Sequence, residues 1–190
     1  MASDANNRIT DSTVQGAVVQ AHGIGQVHIA GPPGASAVDA EIWRQRYNAY
    51  LDFIQSWERL SAEMSRFWQW LYKPYYFKDL PDKEFDARYE EVDELLNACQ
   101  NRLTRMRLLG LLAEEAEILC GRMEKALTMA RQMQVHRQED EYDHYSHTDD
   151  MGEILLFANY DFKDFCDAAT LHLAGATCEA AREEIRHRYE

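Results

Sequence analysis

The sequence predicts an all-α protein: an antiparallel bundle of about four long helices behind a flexible or β-prone N-terminal arm. Three observations carry this expectation. After residue 38 the apolar residues recur in alternating steps of four and three, the stripe of helices packed lengthwise. Four prolines and nine glycines in 190 residues are too few for a turn-rich all-β chain. Hydrophobic residues make up 46% of the chain against 28% charged, enough apolar material for one ordinary core.

The first helix is expected over residues 39–72, with Asp39 as its N-cap. Trp43, Tyr47, Tyr50, Ile54, Trp57, Ser61, Met64, Trp68 and Leu71 form its stripe, and Phe53, Leu60 and Phe67 widen that stripe on one side. Pro74 stops it, because proline lacks the amide proton a helix needs. A second helix opens near Pro81-Asp82 and repeats the pattern through Phe85, Tyr89, Val92, Leu96, Cys99, Leu103 and Met106, until Gly110 interrupts it. The third run is Leu112, Ala116, Leu119, Met123, Ala126, Ala130 and Met133, whose small residues suit close helix approach. Residues 137–150 hold six acidic residues and no aliphatic one, and are expected to be an exposed acidic loop. The fourth run is Met151, Leu155, Ala158, Phe162, Phe165, Ala169, His172 and Ala176.

The chain changes character near residue 38. Residues 1–37 hold one arginine, two aspartates, five glycines and no aromatic residue. Pro32-Pro33-Gly34 marks the join, so 1–37 is assigned as an arm and 38–190 as the helical domain. Twenty basic residues against 33 acidic ones leave a formal net charge of −13. That field repels phosphates, so no nucleic-acid partner is expected, and membrane contact is expected only after some activating change. The N-terminus has no basic segment leading into an apolar run, and glutamines and glycines break the uncharged stretch 12–38, so neither a signal peptide nor a spanning helix is expected there. Cys99, Cys120, Cys166 and Cys178 show no CxxC pair, which fits reduced thiols used as small apolar fillers in a cytoplasmic protein.

No catalytic constellation, metal site or cofactor is expected. His136, His144 and His147 stand in or beside the acidic segment, which reads as a loop without a scaffold to hold ligands in fixed geometry. His172 falls on an apolar stripe, where a satisfied core histidine is the ordinary case. Nucleotide-binding and nucleophile-elbow motifs do not occur. Trp70, Tyr75, Tyr76 and Phe77 fall off or beyond the first stripe, which makes them the candidates for contact with a partner or a membrane.

The arm carries the most specific signal. Val18, Val19, Ile24, Val27 and Ile29 are β-branched, and no charge interrupts residues 12–38. Gln20 and Gln26 suit hydrogen-bonded ladders between identical chains in register, as in a cross-β stack. A flexible tether and a strand docked on the chain's own helices are the alternatives for such a segment.

The string VVQAHGIGQVHI within residues 14–31 resembles the bacterial amyloid signalling motifs of actinobacteria, themselves similar to the homotypic interaction motif of animal necroptosis proteins. The matching residues are Val18, Val19, Gln20, Ala21, Ile24, Gly25, Val27 and His28, with His22 and then Gly23 where relatives often place glycine directly after Gln-Ala. In that family the motif occurs on NTPase receptors and on small helical effectors. The resemblance implies templating: a receptor's motif seeds stacking of the effector's. The segments RQRYNAYLDFIQ, LLNACQNRLTRMRLLGLLAEEAEILCGRMEKAL and DFKDFCDAATLHL resemble actinobacterial helical proteins of unknown function, which supports the bundle and implies no activity.

The expected function is therefore a non-enzymatic signalling or effector role in bacterial immunity or cell death, with itself or a receptor bearing a similar motif as partner. Two alternatives stand beside it. One is an interaction bundle with the arm as tether, in which case deleting residues 1–37 leaves partner binding intact. The other is an unrecognised enzyme with an interhelical pocket around the stripe's polar residues, His172 and Ser61.

Overall fold

The computed structural model describes residues 36–72, 80–137 and 144–187. It is all-α, with no strand among the described residues. The helices are α1 (Ala37–Leu71), α2 (Asp82–Leu108), α3 (Ala113–His136), α4 (His144–Leu173) and α5 (Cys178–Arg186). The chain divides into two compact units, residues 1–44 and 45–190. Of the first, the described part is the opening of α1.

That opening is capped one turn earlier than the sequence pattern suggests. Asp39 is not the N-cap. Ser36 Oγ accepts the Asp39 amide at 3.2 Å, and the Asp39 carboxylate accepts both the Ser36 amide, at 3.2 Å, and its hydroxyl, at 2.7 Å. This reciprocal box satisfies donors that a helix start leaves open, with aspartate in the place glutamate commonly takes.

In the second unit α1 buries Ala49, Tyr50, Phe53, Trp57, Leu60, Met64, Phe67 and Leu71. The centre of the stripe is therefore the Phe53–Leu60–Phe67 line, and Ile54, Ser61 and Trp68 lie half-buried on its flank. The reason is the neighbour. Phe53 meets Phe165 of α4 edge-on at 5.2 Å, and Phe67 meets Phe85 of α2 at 5.5 Å, so α1 turns this line between two helices. Along α1 and α4 the paired residues run in opposite directions: Tyr50 with Phe165, Trp57 with Phe162, Ser61 with Asn159, Trp68 with Thr148. Helices α2 and α3 pair likewise, Asp82 with Gln134 and Asp86 with Arg131. Their stripes are buried as expected, except that Tyr89 is half-buried beneath the Arg131 guanidinium, 4.1 Å from its ring centroid.

Helix α4 begins at His144, seven residues ahead of Met151, so the acidic loop expected over 137–150 is helical from 144. Thr148 explains the difference: it is fully buried, and its carbonyl accepts the Trp68 indole N–H at 2.8 Å. A tertiary bond thus anchors a turn whose composition is that of a loop. Gly152 lets the ring lie close, because a Cβ there would stand 3.0 Å from Trp68 Cζ2. Gly152→Ala gains helix propensity but forces the pinned indole to move. A net loss of about 1 kcal/mol is expected, read as a lower urea midpoint with altered tryptophan fluorescence.

The fourth stripe ends early. Ala176 lies past α4, which stops at Leu173, and a fifth short helix follows that the periodicity did not reveal. Gly175 at φ +107° turns the chain, with the Ala176 amide donating to the Leu171 carbonyl and the Gly175 amide to that of His172, both at 3.1 Å. Gly110, at φ +64°, ends α2 in the same way: the Leu111 amide donates to Met106 and the Gly110 amide to Arg107. Both are Schellman ends, which need a left-handed residue and so favour glycine. Thr177 caps α5 by accepting the Ala180 amide at 3.1 Å. Among the described residues no helix is long and apolar enough to cross a membrane.

Candidate functional site

The arm residues Val18, Val19, Gln20, Ala21, Ile24, Gly25, Val27 and His28 lie outside the described residues, as do Tyr75, Tyr76 and Phe77. Trp70 is described. It is half-buried, stacked on Phe67 at 5.9 Å, and the Arg88 guanidinium sits 4.7 Å from its ring centroid. Phe67 and Arg88 thus cover part of the Trp70 ring.

The two glycine-ended corners converge on Tyr50. Its ring is 1% exposed, held edge-on by Phe165 at 6.0 Å. The Leu112 amide, at the start of α3, donates to Tyr50 Oη at 3.2 Å. His172, in the last turn of α4, places Nδ1 2.7 Å from the same oxygen. Cys178, in the first turn of α5, directs its thiol to the Gly110 carbonyl at 3.5 Å. One buried hydroxyl therefore joins α1 to the α2–α3 corner and to the end of α4, and the thiol joins that corner to α5.

The electrostatics hold this junction neutral. Burial raises the Tyr50 phenol well above its ordinary value, so it keeps its proton. Burial also lowers His172 below its ordinary 6.5, helped by the Arg46 guanidinium. Cys178 is raised by burial, against the pull of Arg182. The other thiols move the same way: burial pushes Cys99 and Cys166 up to about 11 and Cys120 up to about 12. Cys178 Sγ lies 3.7 Å from His172 Nδ1 and 3.8 Å from Nε2. A sulfur nearly equidistant from both nitrogens is in line with neither lone pair, so the pair lacks the geometry and the charge of an activated thiolate–imidazolium. What the cluster does chemically is share protons between helices.

Arg182 of α5 grips Glu115 through both carboxylate oxygens and reaches Glu114 at 3.1 Å, tying α5 to the start of α3. Beside it a cleft of about 410 Å³ opens over Phe165 and Ile185, with Ile118, Arg122, Asp161 and Arg182 at its edge. Arg122 is paired with Asp161 and Arg182 with Glu115, so these rim charges largely cancel. His172 is not part of its lining. Ser61 donates to Asn159 at 3.2 Å in a separate groove floored by Trp57 and Phe162. Thus the structure does not bring together His172 and Ser61, the two polar residues of the predicted stripes.

His136 ends α3 and His147 lies in the first turn of α4, on a helix rather than a loop. Among the described residues no group of three or more His, Cys, Asp or Glu side chains is placed to hold a metal ion. Sequence reading missed the Tyr50–His172–Cys178 junction; Gly110, which interrupts the second stripe, marked one of its two corners, while Gly175 fell inside the fourth expected stripe. Comparison with known protein families, curated proteins and solved structures gave no match.

Proposed function

We propose that this chain is a non-enzymatic signalling or effector protein, in which residues 1–37 act as a homotypic assembly arm and residues 38–190 as an antiparallel bundle of about four long helices that carries the response. The observation that supports this most is the charge-free, β-branched stretch of residues 12–38 set before helices with a core of their own. The buried hydrophobic residues of the second unit run from Ala49 to Ile185. A short β-prone segment cannot bury a core alone, and a stack of identical segments supplies the missing surface. The partner is then a second copy, or a receptor bearing a similar motif, and its strand edge templates the next arm by backbone pairing. The neutral, proton-sharing junction at Tyr50 fits a scaffold role better than catalysis, since no nucleophile there is ionised.

The test is assembly of the full chain. Concentrated protein is expected to form thioflavin-binding fibres while keeping its helical circular dichroism, and removal of residues 1–37 is expected to abolish the fibres and leave the helical signal. A full chain that stays monomeric at high concentration would sink the proposal.

A further inference from the structure

We infer that His172 is a proton-operated latch: its neutral ring holds α1, the α2–α3 corner and the α4–α5 corner together, and its protonation releases them.

The hydrogen count at Tyr50 carries this. The phenol oxygen accepts the Leu112 amide at 3.2 Å, and the phenol has one proton to give. The group within reach of that proton is His172 Nδ1, at 2.7 Å. Nδ1 must therefore accept, and the ring proton sits on Nε2. A second ring proton turns Nδ1 from an acceptor into a donor, so it can no longer receive the phenol proton. The phenol proton then loses its acceptor on a residue that is 1% exposed, and an unmatched buried donor is costly.

The ring is half-buried, and its protein neighbours offer an imidazolium little shelter. From α1 it faces Tyr50 and Arg46, and the guanidinium opposes a second positive charge. From the α2–α3 corner it faces the Leu112 amide, whose own acceptor is the same phenol. From α5 comes the protonated Cys178 thiol, with Arg182 acting on that thiol in turn. The carboxylates nearest Cys178, Glu114 and Glu115 on α3, are already engaged by Arg182. Releasing the phenol frees the start of α3. Moving the ring withdraws the surface on which Cys178 rests, and with it the thiol's bond to Gly110. The corner opens as one unit because a single oxygen serves both contacts.

The sign follows from the lowered affinity of the folded ring for a proton. The latch contributes its full stability above pH 6.5, the ordinary histidine value. As pH falls below that value the unfolded chain takes the proton first, and the contribution is lost until pH has passed below the folded value.

The experiment is hydrogen exchange of the full chain from about pH 8 to about pH 5, corrected for intrinsic rates, with nitrogen NMR of the histidine rings. Protection of residues 109–113 and 174–186 is expected to fall by roughly tenfold across that range. His172→Gln keeps an acceptor for the phenol and cannot titrate, so its protection is expected to stay flat. In the unaltered protein the His172 ring is expected to carry its neutral proton on Nε2, with a midpoint matching the loss of protection. An equal acid-induced loss in His172→Gln, or a neutral ring protonated on Nδ1, would overturn the latch. If the variant fails to fold, the ring tautomer and midpoint of the unaltered protein decide alone.

Discussion

Phe165→Ala is expected to lower the free energy of unfolding by about 3–5 kcal/mol, the range for deleting a fully enclosed phenyl ring. Phe165 is 2% exposed and meets three rings: Tyr50 at 6.0 Å, Phe53 at 5.2 Å and Phe162 at 6.4 Å. Two of those lie on α1, so the alanine opens a cavity at the α1–α4 seam where flanking rings are too rigid to collapse into it. The loss also unseats Tyr50 from the wall that aims its hydroxyl at His172. Single domains are stable by only about 5–15 kcal/mol, so a large share of the total is at stake. Phe157→Ala on the same helix is the internal control. That ring is 45% exposed, and a change within about 0.5 kcal/mol is expected. Urea unfolding of both variants decides: similar midpoints would show that the seam is not the centre of the core.

Val19→Asp is expected to abolish fibre formation by the full chain while leaving its helices intact. In an in-register stack each copy of residue 19 lies about 4.8 Å from the next. Adjacent carboxylates at that spacing repel by about 0.9 kcal/mol even in bulk water, and far more in a dry interface. Every added chain meets the same repulsion and must also desolvate its charge, so the penalty is paid at each step of growth. Gln20→Asp is expected to act likewise, since it replaces an amide ladder with a ladder of like charges. Thioflavin fluorescence and sedimentation give the readout. Fibres from Val19→Asp at the unaltered rate would place the assembling surface elsewhere in the chain.

Helix identity was legible because burial follows a period. Tyr89 apart, the stripes of α2 and α3 name residues that are in fact buried, down to Ala116, Ala126 and Ala130. The stripe of α1 was legible only as a band. Phe53 and Ile54 are adjacent in sequence, and which of them faces inward depends on whether Phe165 or solvent stands opposite. The turn at 144–150 was hidden because six charged or polar side chains mask one buried Thr148 whose carbonyl serves a tryptophan 80 residues away. The junction at Tyr50 was hidden for a similar reason. Its members are 122 positions apart from Tyr50 to His172 and 62 from Tyr50 to Leu112, separations that no local pattern encodes.

From composition and periodicity alone follow the all-α class, the long helical runs, the acid excess and the abrupt change near residue 38, because each depends on residue type and spacing along one chain. Tertiary structure alone decided the inner line of α1, the early start of α4, the added helix after Gly175 and the pairing of Tyr50 with His172. Those outcomes turn on which groups meet across helices, where one hydroxyl proton or one ring edge settles the arrangement and leaves no periodic trace.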